Sequence, residues 1–222
     1  MTSRWRPTSD PNALIASLRR QPLLLVLRPE CPLHASPLLA SLQDLGFVHV
    51  ELAWRSGPRW VEQCRQLKDQ FPRLQLGAAS LCTTTALQSA AAAGLSYGVS
   101  PILDPAMIRL AAQLQFTLVP GVYSPTEVDR ARQWGSAIVK LFPACSLGPG
   151  YWRRLREPLG EPLPFCIAAG GLQIDDVRPW LAAGVDAVAL GSTLVIPSSP
   201  LSSGLNRDQI VQLQTLIGSL VP

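Results

Sequence analysis

A (β/α)8 TIM barrel with an extra N-terminal helix is the fold class this chain predicts, on three observations. Short apolar runs alternate with helix-compatible segments eight times, the signature of repeated βα units and a parallel sheet. The runs are apolar almost throughout, as strands covered on both faces require. The length, 222 residues, suits one large α/β barrel around a single core, and no linker-like stretch divides it. Residues 1–222 are therefore expected to form one domain, with 1–9 flexible.

Residues 10–21 are expected to form the extra helix before the first strand. The predicted strands are 23–28, 47–53, 74–78, 97–100, 116–119, 137–142, 165–168 and 187–190. Between them, 32–45, 57–70, 83–93, 104–113, 124–134, 174–183 and 206–220 carry helical spacing and caps, while the proline-rich connection 148–164 gives only a weak helix. Ser124-Pro125-Thr126-Glu127 is the clearest start: a hydroxyl cap, proline at the first helical position, and a glutamate where a capping box places it. Gly46, Gly94, Gly135 and Gly184 each follow a helical run, where a left-handed terminal residue is expected. The Ser/Pro-rich stretch 197–204 after the last strand either covers the barrel mouth or merely connects.

Hydrophobic residues make up 47 % of the chain and charged ones 15 %, against about 25 % charged in ordinary soluble domains, so a homo-oligomer that buries the excess is expected. The net charge of +4 is spread over scattered arginines rather than a basic stripe, which argues against nucleic acid as the main partner and leaves anionic small molecules compatible. Five cysteines, widely spaced and without a Cys-x-x-Cys pair, read as free thiols in a reducing cytoplasm. The two histidines, His34 and His49, are too isolated for a metal cluster, and no metal or cofactor is assigned. The polar N-terminus gives no secretory signal, and the uncharged stretch 74–103 holds too many Ser, Thr and Gln residues for a membrane span.

Lys140 lies in Ala137-Ile138-Val139-Lys140-Leu141-Phe142-Pro143-Ala144, a run without a polar neighbour. Burial disfavours an ammonium, lowers its pKa, and makes a neutral amine available near neutral pH; such an amine attacks ketones to form a Schiff base. The alternative is a lysine whose stem lies in the core while its head escapes to water. Glu51 and Arg55 close the second predicted strand, where barrel enzymes place their chemistry. Alternation puts Glu51 on one face with His49 and Ala53. If that face is the inner one, the carboxylate can shuttle protons near Lys140, and Arg55 at the rim offers a fork for a carboxylate or phosphate. The alternative is a surface ion pair. Gly170-Gly171 and Gly191-Ser192 end the seventh and eighth predicted strands, where backbone N–H groups commonly cradle phosphate.

Four stretches carry a resemblance. They are Val50-Glu51-Leu52-Ala53-Trp54-Arg55-Ser56, Gly98-Val99-Ser100-Pro101, Val119 through Glu127, and Val139-Lys140-Leu141-Phe142-Pro143-Ala144. In order and over nearly the whole domain, the chain resembles the 2-dehydro-3-deoxy-6-phosphogluconate (KDPG) and 4-hydroxy-2-oxoglutarate (KHG) aldolase family of class I, Schiff-base aldolases. The resemblance implies Lys140 as the Schiff-base lysine, Glu51 as general acid and base, and Arg55 as the carboxylate binder. It implies Pro101 and Phe142 as pocket lining, Arg28 as a first-strand arginine, and Gly170, Gly171, Gly191 and Ser192 as the phosphate end. It also implies a small-molecule 2-oxo acid substrate and a homotrimer. Two departures stand out. The family's Gly-Ala-Gly-Thr is Gly77-Ala78-Ala79-Ser80 here, with the Ser80 hydroxyl expected to bond the substrate carboxylate, and its Pro-Thr-Gly-Gly is Ala168-Ala169-Gly170-Gly171. A missing hydroxyl beside a polar substrate alters discrimination, so three alternatives stay open. They are a KHG aldolase, an aldolase for the galactonate epimer, and a barrel that binds anionic metabolites without turnover.

Overall fold

The structure, a computed structural model, describes residues 10–191 and 205–220. Ser192 and the stretch 197–204, both singled out in the sequence, lie outside the described residues, as do 1–9. Nine parallel strands run in the order β5-β4-β3-β2-β1-β9-β8-β7-β6. They are β1 (Leu23–Leu27), β2 (His49–Ala53), β3 (Gln75–Ala79), β4 (Gly98–Val99), β5 (Leu118–Val119), β6 (Gly121–Val122), β7 (Ile138–Leu141), β8 (Phe165–Ala169) and β9 (Ala187–Gly191). Only Pro120 separates β5 from β6, so the two edges of the order belong to one chain segment and the sheet nearly closes into a barrel. Proline has no N–H to give the ladder, but its carbonyl still serves: Pro120 O accepts from the Lys140 amide at 2.8 Å. The sequence ends this strand at 119; the backbone carries it past the proline as a second short piece.

α1 (Pro11–Arg20) lies at the N-terminal end of the barrel, and the outside is covered by α2 (Ser36–Asp44), α3 (Trp60–Gln70), α4 (Thr84–Ala92), α5 (Pro105–Gln113), α6 (Pro125–Gln133), α7 (Tyr151–Leu159), α8 (Val177–Ala182) and α9 (Arg207–Leu220). The Ser124–Glu127 capping box forms at the head of α6. The predicted helix 32–45 divides into a 3-10 turn, Pro32–Ala35, and α2, and Pro37 sits in the first turn of α2, where its missing N–H is harmless. The segment 148–164 does hold a helix, α7, with Pro158 confined to its last turn.

Alternation along each strand sorts residues into two cores. Leu23, Leu25, Leu27, Val50, Leu52, Leu76, Ala78, Val139 and Leu141 pack outward against the helices. Leu24, Val26, Ala79, Val99, Val119, Ile167 and Ala189 fill the barrel interior. Leu14 and Leu18 of α1 join that inner cluster and close its floor at the N-terminal ends of the strands. Among the described residues no helix is long and apolar enough to cross a membrane.

Candidate active site

Val50 and Leu52 face the outer core, so the intervening Glu51 faces into the barrel; Val139 and Leu141 do the same for Lys140. Both are buried, Glu51 to 1 % exposure and Lys140 to 6 %. The orientation of Glu51, open in the sequence, is thus inward. In register, Glu51 lies level with Val26 and Gly77, and Lys140 with Gly121 and Ile167.

The two groups feel each other without forming a direct ion pair. Burial lowers the pKa of Lys140; the Glu51 charge opposes that shift, while Arg28 reinforces it. Burial likewise raises Glu51 to about 7, against the opposing pull of Lys140 and Arg28. A carboxyl poised there can both donate and accept a proton near neutrality. Its Oε1 has no hydrogen-bond partner among the described residues. The Phe142 ring sits 4.5 Å from Lys140 Nζ, a cation–π distance while the amine is charged.

The other sequence-singled residues ring the C-terminal ends of the strands. Arg28 follows β1 directly and donates from Nη1 to Ser80 Oγ at 2.8 Å. Ser80 itself follows β3 with φ of +62°, a conformation uncommon outside glycine. Pro101 stands two residues beyond β4, and β6 runs so close to it that any Cβ on Gly121 would overlap its carbonyl. Gly170 and Gly171 follow β8 with φ of +95° and +76°. A Cβ on Gly170 would lie 2.8 Å from the Phe142 ring, so this corner is built for glycine and holds the ring beside Lys140. Gly191 ends β9. Arg55 is exposed at the rim beyond β2 and makes no ion pair among the described residues, so it is not drawn into the Lys140–Glu51–Arg28 group.

Sequence reading missed Tyr97. It is fully buried immediately before β4, and its hydroxyl has no hydrogen-bond partner among the described residues. Burial resists its ionisation, and the Glu51 charge adds to that resistance. A tyrosine in the strand Tyr97-Gly98-Val99-Ser100 was the available signal, but its direction depends on register. The histidine below Glu51 has a different setting: His49 Nε2 and Ser17 Oγ are 2.9 Å apart, and burial lowers the ring's pKa to about 4. Among the described residues no three His, Cys, Asp or Glu side chains gather as a metal set.

This arrangement, an inward lysine and carboxyl under a ring of polar and glycine-rich strand ends, has relatives. The profile of the KDPG and KHG aldolase family matches residues 14–213. A Rhizobium meliloti (strain 1021) protein named "Probable 2-dehydro-3-deoxy-6-phosphogalactonate aldolase" is 31 % identical over 191 residues, 86 % of this chain and 89 % of its own. The 2-dehydro-3-deoxy-6-phosphogalactonate aldolase of Escherichia coli (strain K12) is 28 % identical over 174 residues, 78 % of this chain and 84 % of its own. The solved "native KDPGal" structure superposes with a TM-score of 0.77 at 25 % identity, covering 91 % of this chain and 97 % of that one. The chain belongs to the KDPG and KHG aldolase family and is an aldolase, a lyase.

Proposed function

We propose that the chain is a class I aldolase that reversibly cleaves 2-dehydro-3-deoxy-6-phosphogluconate to pyruvate and glyceraldehyde 3-phosphate. The observation that carries this reading is the Lys140 amine, buried in the barrel interior and electrostatically coupled to an equally buried Glu51. Depression of the lysine pKa leaves a larger neutral fraction, the form that adds to the C2 carbonyl of the 2-oxo acid. Glu51 relays protons as the carbinolamine forms and loses water to give the iminium. The C4 hydroxyl then gives up its proton, the C3–C4 bond breaks, and its electron pair moves into the iminium to form the enamine as the aldehyde departs. Protonation at C3 and addition of water release pyruvate and restore the amine.

Arg55 and Ser80 are proposed to bind the substrate carboxylate, Arg28 to bind substrate from the end of β1, Pro101 and Phe142 to line the pocket, and Gly170, Gly171, Gly191 and Ser192 to form the phosphate end. The Arg28–Ser80 hydrogen bond supports a fixed cationic edge beside Lys140. A second reading, cleavage of the galactonate epimer to the same products, draws support from the names of the 31 % and 28 % identical relatives. Side-by-side kcat/KM on the two epimers and on 4-hydroxy-2-oxoglutarate decides among them; no turnover of any would overturn the aldolase assignment to these substrates. We also propose that the enzyme is a cytoplasmic homotrimer, in line with its apolar composition. Light scattering should return three chain masses, and a monomer would contradict it.

A further inference from the structure

Glu51, Gly77 and Tyr97 occupy one level of the barrel on three adjacent strands. Glu51 is the register partner of Gly77, and Ala78 pairs with Gly98, which places Tyr97 beside Gly77. Gly77 faces inward, since Leu76 and Ala78 on either side of it belong to the outer core. A Cβ on Gly77 would sit 2.6 Å from both Cε2 and Cζ of Tyr97. The hydroxyl-bearing end of the ring therefore lies over the glycine, spanning β3 from β4 toward β2. Any larger residue at Gly77 would block that path.

Two oxygens at that level lack the partner that buried oxygens ordinarily have, and they form no hydrogen bond with each other. Tyr97 OH and Glu51 Oε1 are both buried and both without a hydrogen-bond partner among the described residues. Leaving one buried polar group unpaired is unfavourable, and a phenol donor beside a carboxyl acceptor is a complementary pair. The terminal torsion of a glutamate is soft, so its oxygens reorient readily.

We propose that Tyr97 is a positioning residue for Glu51: its hydroxyl donates to the ionised carboxylate, directly or across one water, and fixes the oxygen that faces Lys140. The inference rests on the reading of Glu51 as the proton-transfer group. The other groups facing Glu51 do different work. Lys140 approaches from β7 and Arg28 from the end of β1, both as cations, while His49, below it on β2, is neutral near pH 7. Tyr97 differs from both cations as a neutral donor that does not titrate near neutral pH, and it differs from His49 in standing at the level of Glu51 itself.

The test is titration of Glu51 by NMR with 13C-labelled glutamate, its resonance assigned by its loss in E51Q. In Tyr97→Phe the lost donor should raise the Glu51 midpoint by about one pH unit, with the Glu51-dependent limb of the kcat profile moving alongside. An unmoved midpoint in folded Y97F overturns the proposal, whatever happens to turnover. Should Y97F fail to fold, the wild-type Tyr97 Cζ resonance serves instead: it should follow the Glu51 titration and lose that response in E51Q, and indifference to it overturns the proposal. Full turnover in E51Q would instead remove the catalytic reading of Glu51, an outcome separate from the Tyr97 titration.

Discussion

His49 and Lys140 are both polar side chains buried in the barrel interior, one at its floor and one toward its mouth, and the fold treats them in opposite ways. His49 is fully buried and bonded through Nε2 to Ser17 of α1, whose hydroxyl also accepts from Gln75 Nε2 at 3.0 Å, while the ring's Nδ1 has no hydrogen-bond partner among the described residues. Leu14 and Leu18 seal it from below. Its lowered pKa leaves the ring neutral, which suits an apolar plug. Lys140 and Glu51 have neither a direct ion pair nor, for Glu51 Oε1, any hydrogen-bond partner among the described residues. The floor holds a neutral ring tied to its neighbours through Nε2, whereas the mouth holds buried ionisable groups whose proposed role toward substrate comes at some expense of stability.

Replacing residues at the two ends should therefore separate activity from stability. The largest effect is expected for Lys140→Ala, which removes the proposed nucleophile: turnover should fall by about 10⁴-fold or more in steady-state assays, with the folded fraction retained. Comparable turnover would end the Schiff-base reading. Glu51→Gln should lower kcat by about 10²- to 10⁴-fold. It should also raise the Tm, and more so as pH rises. The sign follows from a carboxyl whose folded pKa, about 7, exceeds the reference value of 4.5. The folded state holds the proton more tightly, so stability is full below about 4.5 and declines as pH rises through about 7. The glutamine variant escapes that decline, and parallel Tm curves for the two proteins would refute the account.

At the floor the pattern should invert. Leu18→Ala empties a fully buried site and should cost about 2–5 kcal/mol in denaturant unfolding, with kcat/KM per folded enzyme unchanged. Smallest is Ser17→Ala, which removes the partner of His49 and Gln75; a loss of about 1 kcal/mol is expected, again without a kinetic change. His49 adds acid sensitivity of opposite sign to Glu51. Its folded pKa of about 4 lies below the reference 6.5, so its contribution is complete above 6.5 and is lost as pH falls through about 4. A kinetic defect in either floor variant would blur the division between the two ends.

Much of this division is legible in the sequence because apolar continuity reports burial on both faces. That reading placed the eight barrel strands and the starts of α5 and α6 within a few residues. It also isolated Lys140 as a charge in an apolar run. Chain direction past Pro120 was not legible: a proline reads as a stop, yet its carbonyl keeps the ladder going to Lys140. The inward face of Glu51 was undecided because Val48, Val50 and Leu52 alternate with His49, Glu51 and Ala53, a set that mixes polar and small residues. Tyr97 was invisible for a deeper reason. Its relation to Glu51 passes through the missing side chain of Gly77 on a third strand, and only strand register brings the three together.

The central claim, that Lys140 is the nucleophile, is met most directly by trapping. The wild-type enzyme is incubated with pyruvate and borohydride, its intact mass is measured, and the modified peptide is mapped. The account predicts one reduced pyruvyl adduct per chain, carried on Lys140 and absent from Lys140→Ala. An unmodified folded protein, or an adduct carried on Lys68 instead, would contradict it.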